Sequence, residues 1–400
     1  MVPAHSPRVA LLCPGLGRVL RGHETFARGL FDLLRDSLDV TLFKGGGDSS
    51  AREVVVPHIP RDAAGLDGAR LPVSPKWHAA ALGDERIRVE GESFAWGVLG
   101  ALLEGGFDVL HVLDRDVCRV LHANRHLFAR TPTLLFANGG AIPARDLPPC
   151  DFVQEHTSHN LAQSLKGRSF LIPHGVDTQR FRPDAPTDFR ARHGIPADAT
   201  LLLSVGTICY WHKRMDHVIR EVAAVADPGL HLAIVGQESE DAPAIRALGR
   251  ELLGNRVHFD ALPHEELPAA YAAADAFVLG SVFETFGIVY IEAMAAGLPV
   301  ICTHHPNQKA IVQEGVFIDM EASGALAAAV GPQRRHGWAS LGARAREIAC
   351  TQYDLGTLKS QYLTKYADIA GRSAPLPRWN AARRLRQNLE GTWRKVASRL

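Results

Sequence analysis

Two carboxylates with seven residues between them, Glu284 and Glu292, bracket Phe286-Gly287-Ile288 in the stretch SVFETFGIVYIEAMAAGLPV (281–300). An apolar run ends at Ser281, a turn carries Glu284, and a helical run opens at Phe286–Ile288 and stops at Gly297, before Pro299. The first N–H groups of a helix have no partner inside it and carry the positive end of its dipole, so this start suits an anion such as a diphosphate. Gly287, without a side chain, lets a phosphate oxygen approach the main chain. Carboxylates beside a diphosphate bind it poorly but accept hydrogen bonds well from sugar hydroxyls. Glu292, about two turns into the helix, faces another part of the same ligand. The pattern fits a molecule with a sugar at each end of a diphosphate.

Such a site needs strands to present it. Short apolar runs at Arg8–Cys13, Asp39–Phe43, Asp108–Leu113, Pro132–Asn138 and Asp151–Thr157 alternate with helical spacing such as His23–Arg35. The text turns rich in Pro, Gly and Asp around 170–184, and the pattern restarts at Leu201–Val205, His231–Val235, Arg256–Phe259, Ala276–Leu279 and Pro299–Thr303. Helical runs at Met215–Val225 and Ala242–Leu253 lie between these strands. Strands separated by helices form parallel βαβ units. The predicted fold is α/β, with two Rossmann-like doubly wound domains facing a cleft. Residues 1–175 form the first domain, 176–365 the second and 366–400 a basic helical tail. Ligands of open parallel sheets bind at the carboxyl ends of strands, which puts the site in the cleft.

Composition narrows the class. Lys and Arg total 44 against 43 Asp and Glu, which argues against a dedicated nucleic-acid binder. No apolar run is long enough to span a bilayer, and the start has no charged-then-apolar leader pattern. Six scattered cysteines without a Cys-x-x-Cys pair read as reduced thiols. The expected location is the cytoplasm, and the Ala- and Arg-rich composition suggests a bacterial source.

Glu284 and Glu292 within FETFGIVYIEAMAAGLPV resemble the donor-binding signature of family-4 retaining glycosyltransferases, the glycosyl transferases group 1, which have the two-domain GT-B architecture. VGTICYWHKRMDHVI (205–219), LIPHGVDTQRF (171–181), VHFDALPHEELPAAYAAADAFVLGS (257–281) and CPGLGRVLRGHETFARGL (13–30) extend the resemblance over most of residues 8–315. It implies transfer of a sugar from a nucleotide-diphosphate sugar to an acceptor hydroxyl, with retention, no cofactor and no metal. By that resemblance Glu284 binds the transferred sugar and Glu292 the ribose. Phe286, Gly287 and Ile288 offer N–H groups, and Gly206 belongs to the phosphate loop. Lys213, with Arg214, neutralises the leaving diphosphate, and Gly15 and Gly17 let the first loop approach it. Preorganised cations and amides aimed at developing negative charge lower such a barrier.

The chain departs from the family in three places. Thr207 follows Gly206 where the family has Arg, His174 replaces Asn in the connector, and Asn138 stands where a His is common. Asn138 can hydrogen-bond a sugar but is no general base. His156, His159, His304 and His305 are alternative cleft residues, and Trp211 is either a stacking face for a sugar or base, or packing. Acceptor contacts are expected from variable loops at 45–88 and 139–149. From Arg372 onward eight basic residues face one acid, Glu390, with an apolar stripe at Leu385, Leu389, Trp393, Val396 and Leu400. That tail is either a closing helix or a peripheral contact with the inner face of a membrane. Two other readings remain open: a non-catalytic partner of the same fold, and a nucleotide-sugar epimerase.

Overall fold

All ten strands read from apolar runs are present in the computed structural model, which describes residues 6–19, 22–67 and 78–375, with backbone alone at 78–84 and 333–334. In the first domain β1 (Arg8–Cys13), β2 (Asp39–Lys44), β3 (Glu53–Val55), β4 (Val109–Val112), β5 (Thr133–Ala137), β6 (Phe152–Glu155) and β7 (Ser169–Leu171) form one parallel sheet in the order 3-2-1-4-5-6-7. In the second, β8 (Thr200–Val205), β9 (Leu230–Val235), β10 (Val257–Asp260), β11 (Ala276–Val278), β12 (Val300–Thr303) and β13 (Val316–Ile318) run 10-9-8-11-12-13, also parallel. Near-continuous apolar strands such as LLLSV and LHLAIV are covered on both faces, as a parallel sheet requires. The architecture is the expected pair of doubly wound domains. The order reverses between β1 and β4 and between β8 and β11, and ligands of such sheets bind at these reversals.

Residues 45–88 are less loop-like than expected. They include β3, and helix His78–Gly105 begins within them.

The chain crosses between the domains twice. The connector near residue 175 is the expected crossing. The second follows a wide helical turn at Ala349–Tyr353, where Val176 N–H donates to the Tyr353 carbonyl and Leu355 N–H to that of Val176. Helix Leu355–Ile369, capped by Asp354, then lies on the first sheet. There Leu358, Tyr362, Tyr366 and Ile369 join the core of Val9, Leu11 and Leu135. The Tyr362 hydroxyl accepts from Gln154 at 2.7 Å, the Tyr366 hydroxyl meets His111 Nδ1 at 2.7 Å, and Thr133 donates to the Ile369 carbonyl at 2.7 Å. This helix runs across position 365, where the sequence reading ends the second domain. The basic stripe from Leu385 to Leu400 lies outside the described residues. Among the described residues no helix is long and apolar enough to cross a membrane.

Candidate active site in the cleft

The second domain builds its site where the strand order reverses, from the loops after β8 and β11. Glu284 stands in the turn after β11, buried. Its Oε1 accepts from Ser281 Oγ at 2.7 Å and from Lys213 Nζ at 2.5 Å, with His212 Nε2 3.5 Å away. Lys213 comes from the loop after β8. Its stem lies over Gly206, where a β-carbon would come within 3.0 Å of Lys213 Cε. Two donors on one oxygen fix the carboxylate beside an ammonium that is itself largely sheltered. A charge-assisted pair of this kind is stronger than neutral hydrogen bonds, and its two charges offset each other.

Helix Ile288–Ala295 starts at Gly287, whose φ of +80° and close approach to the Tyr290 ring both require glycine. No side chain caps this start, so the dipole and the first amides face the cleft uncovered by the chain itself. Glu292, on the same helix, is buried. Its Oε2 accepts from the Tyr271 hydroxyl at 2.8 Å, and its Oε1 lies 2.9 Å from His264 Nε2. Burial, reinforced by the Glu292 charge, pushes the Tyr271 hydroxyl well above its ordinary value and keeps it a donor. A cavity of about 350 Å³ opens beside Glu292. It is bounded by Phe26 of the first domain, His174 of the connector, and Arg180, His264 and Ile288 of the second domain.

The structure thus brings Lys213, Glu284, Gly206, Phe286, Gly287, Ile288 and Glu292 to one face of the second domain. Two of the residues expected to be catalytic are committed elsewhere. Arg214 has a left-handed backbone (φ +50°), and its guanidinium donates to the Met320 carbonyl at 2.5 Å instead of joining Lys213. Asn138 is buried, and both ends of its amide are used in its own surroundings. Its Oδ1 accepts from Ile142 N–H at 2.8 Å, and its Nδ2 donates to the Ile142 carbonyl at 3.0 Å and to Glu155 at 3.0 and 3.1 Å. It closes the loop after β5; a saturated amide of this kind holds the backbone and is not offered to a ligand. Gly15 packs on Glu24, and Gly17 (φ +87°) on the Gly46 main chain, so the first glycine loop is fastened to the loop after β2.

The histidines divide. His156 is buried, stacked on His174 at 4.2 Å, and pushed down to about 3 by burial and then by His23. His305 accepts from Asn307 N–H, His304 turns to the Ile318 carbonyl, and His159 meets Gln163. Trp211 is 83% exposed, so it is not packing, and it stacks on His212. The expectation of a metal-free site overlooked one motif, Asp114-Arg115-Asp116. Asp114 caps the helix that follows it, and Asp116 pairs with Arg115 and Arg119. Burial pushes Asp114 up to about 6. Among the described residues no group of three or more His, Cys, Asp or Glu is arranged to hold a metal ion. His264, Tyr271, Asn307 and Gln308 are not evident from sequence, because each acts on a carboxylate or carbonyl more than twenty residues away; Ser281, three residues before Glu284, marks only a strand end there.

Residues 186–331 match the family model described as glycosyl transferases group 1. A D-inositol 3-phosphate glycosyltransferase of Frankia alni is 35% identical over 176 residues, which are 41% of this chain and 42% of that protein. A GDP-mannose-dependent alpha-(1-6)-phosphatidylinositol monomannoside mannosyltransferase of Mycolicibacterium smegmatis is 32% identical over 201 residues, 45% of this chain and 51% of that one. The chain therefore spans about half the length of these curated relatives, or less. Among solved structures, sucrose-phosphate synthase from Thermosynechococcus elongatus superimposes with a TM-score of 0.71 at 21% identity, covering 92% of this chain and all of that one. The Anabaena HepE protein, in complex with UDP and glucose, gives 0.67 at 16% identity, over 90% of this chain and all of that one.

Proposed function

We propose, from the match of residues 186–331 to the glycosyl transferases group 1 and from the GT-B fold of the chain, that the protein is a retaining glycosyltransferase. It moves a sugar from a nucleotide-diphosphate sugar to an acceptor hydroxyl without a metal ion. The observation that carries this reading is the Lys213–Glu284 pair set beside the uncapped start of helix Ile288–Ala295. A diphosphate sugar exchanges that pair: the ammonium turns to the phosphate, the carboxylate to sugar hydroxyls. Glu292, held by Tyr271 and His264, takes the ribose. The bond from the anomeric carbon to the phosphate oxygen breaks and its electrons go to the diphosphate, where Lys213 and the helix amides stabilise the charge. The acceptor oxygen bonds to the same face of that carbon, and its proton passes to the leaving phosphate, so no protein base is needed at the Asn138 position.

The test is incubation with UDP-, GDP-, TDP- and ADP-sugars, reading thermal stabilisation and release of nucleoside diphosphate. A ligand at 100 times its Kd adds roughly 2.7 kcal/mol. A shift with one nucleotide class, about halved in Glu292→Ala at the same ligand concentration, supports the reading. The engagement of Asn138 within its own loop favours one other reading, a donor-binding protein that transfers nothing. Donor binding without diphosphate release under any acceptor would favour it.

A further inference from the structure

The motif CTHHPNQK after β12 plays no part in the proposed chemistry, yet it touches the machinery through the main chain. Helix Pro306–Val312 opens with its cap His305, whose Nδ1 accepts from Asn307 N–H at 3.1 Å. This turns two fully buried amides, Asn307 and Gln308, onto the Glu284 turn. Asn307 Nδ2 donates to the carbonyls of Glu284 and Thr285, each at 2.9 Å, and Gln308 Nε2 donates to that of Glu284 at 2.7 Å. The other end of the Asn307 amide leaves the second domain. Its Oδ1 accepts from the hydroxyl of Thr157 in the first domain at 2.7 Å.

The direction of these bonds is fixed by counting donors and acceptors. Thr157 Oγ1 already accepts from Asn160 N–H at 3.1 Å as the cap of helix Ser158–Gln163, so its own hydrogen goes to Asn307. A flipped Asn307 would set its oxygen against two carbonyl oxygens, so this is the arrangement that gives both ends of the Asn307 amide a partner. The line from the Asn160 amide through Thr157 and Asn307 to the Glu284 carbonyl crosses the cleft through buried atoms. The next residue but one, Phe286, meets His174 of the connector edge-on at 4.7 Å, so the turn at 284–286 is held at the seam from both sides.

We propose that Asn307 is a positioning residue that couples docking of the first domain to the placement of Glu284. The inference rests on the glycosyltransferase reading for the role of Glu284, but the coupling itself is a property of the fold. When Thr157 is engaged, the Asn307 amide is locked and the Glu284 backbone is held at two carbonyls. When the first domain swings away, the amide can rotate and the turn loosens. The donor sugar is then gripped for reaction only while the domain that brings the acceptor is in place, which limits loss of the sugar to water.

Thr157→Val removes both the donated hydrogen and the cap bond from Asn160 N–H at nearly constant shape, and Thr157→Ser restores both; exchange at 158–163 reads the cap and exchange at 283–287 the link to Glu284. Amide hydrogen exchange over residues 283–287 of the whole protein, with no substrate present, reads the coupling directly. Thr157→Val is expected to raise exchange there about tenfold, and Thr157→Ser to leave it as in wild type. With whichever nucleotide sugar the wild type turns over, Thr157→Val is expected to lower kcat at least tenfold with donor KM within twofold, and Thr157→Ser to recover it. Unchanged exchange at 283–287 in Thr157→Val, or a serine variant as impaired as valine, overturns the proposal. A wild type inert towards every nucleotide sugar defeats the functional reading instead, while the exchange result still decides the coupling.

Discussion

Set side by side, the cleft faces of the two domains use polar residues for opposite ends. In the first, the groups at the strand ends are spent on the backbone. Asn138 ties its own loop to Glu155, Asp114 caps a helix, and Gly15 and Gly17 clamp one loop onto another. In the second, carboxylates face side-chain partners and the cleft: Glu284 with Lys213, Glu292 with Tyr271 and His264. A polar residue at a strand end is therefore no evidence of chemistry until its partners are known. What distinguishes the second face is that its charges are paired through side chains that a ligand can displace.

The comparison breaks if the first face proves as sensitive as the second. The largest effect expected is from Glu284→Gln or Lys213→Ala. Each should cut diphosphate release by 10²–10³-fold, or about 3–4 kcal/mol of barrier; Lys213→Ala should also lower the melting temperature, because it leaves the buried Glu284 carboxylate without its ammonium. Next is Gly17→Ala, which forces a β-carbon into the Gly46 main chain at a positive φ. It should cost about 1–3 kcal/mol in denaturant unfolding, with donor affinity per folded molecule preserved. Asn138→Ala should likewise cost roughly 1–3 kcal/mol, by leaving the Ile142 N–H and carbonyl without this partner and Glu155 with Ser164 alone. Glu292→Ala should raise donor Kd by about tenfold and, by taking the acceptor from the buried Tyr271 hydroxyl, also cost about 1–3 kcal/mol of stability. If Asn138→Ala instead abolished turnover in a protein of unchanged stability, the contrast between the two faces would fall.

The pH dependence acts on both domains, and per histidine it is of the same order as one of the loop substitutions. His111 and His156 are pushed down to about 3, and His23 to about 4, chiefly by burial; His258 of the second domain also reaches about 4. Unfolded, all titrate near 6.5. Between these values the unfolded chain binds the extra protons, so the stability is complete above about pH 6.5. It falls on acidification, by about 1.4 kcal/mol per pH unit for each group. Melting scans from pH 7 to 5 should show this loss, with a shallower slope in His156→Gln.

Much of the frame could be read in the sequence because parallel strands covered on both faces are written as unbroken apolar runs. The strands it did not reveal, β3, β7 and β13, have three residues each and are only partly buried, so they carry no such run. Helix His78–Gly105 was hidden for a related reason, since its apolar residues form no single stripe. At the site, Glu284, Glu292 and Lys213 were legible beside glycines and a helix start. The bonds that Asn138 makes are not legible in the sequence, because its partners, Ile142 and Glu155, are defined only by the fold. Asn307 and Gln308 were missed for the same reason, as their carbonyl partners lie more than twenty residues away.

The return of helix Leu355–Ile369 to the first sheet also sets an order of events during synthesis. A ribosome releases the strands of that sheet by residue 171, but the helix that completes its core is still roughly 200 residues away, or about 10–40 s at 5–20 residues per second. During that interval Val9, Leu11, Leu135 and their neighbours lack their last cover. The amino-terminal half must therefore wait, partly uncovered, for the end of the chain, and the first domain to be made is the last to be finished.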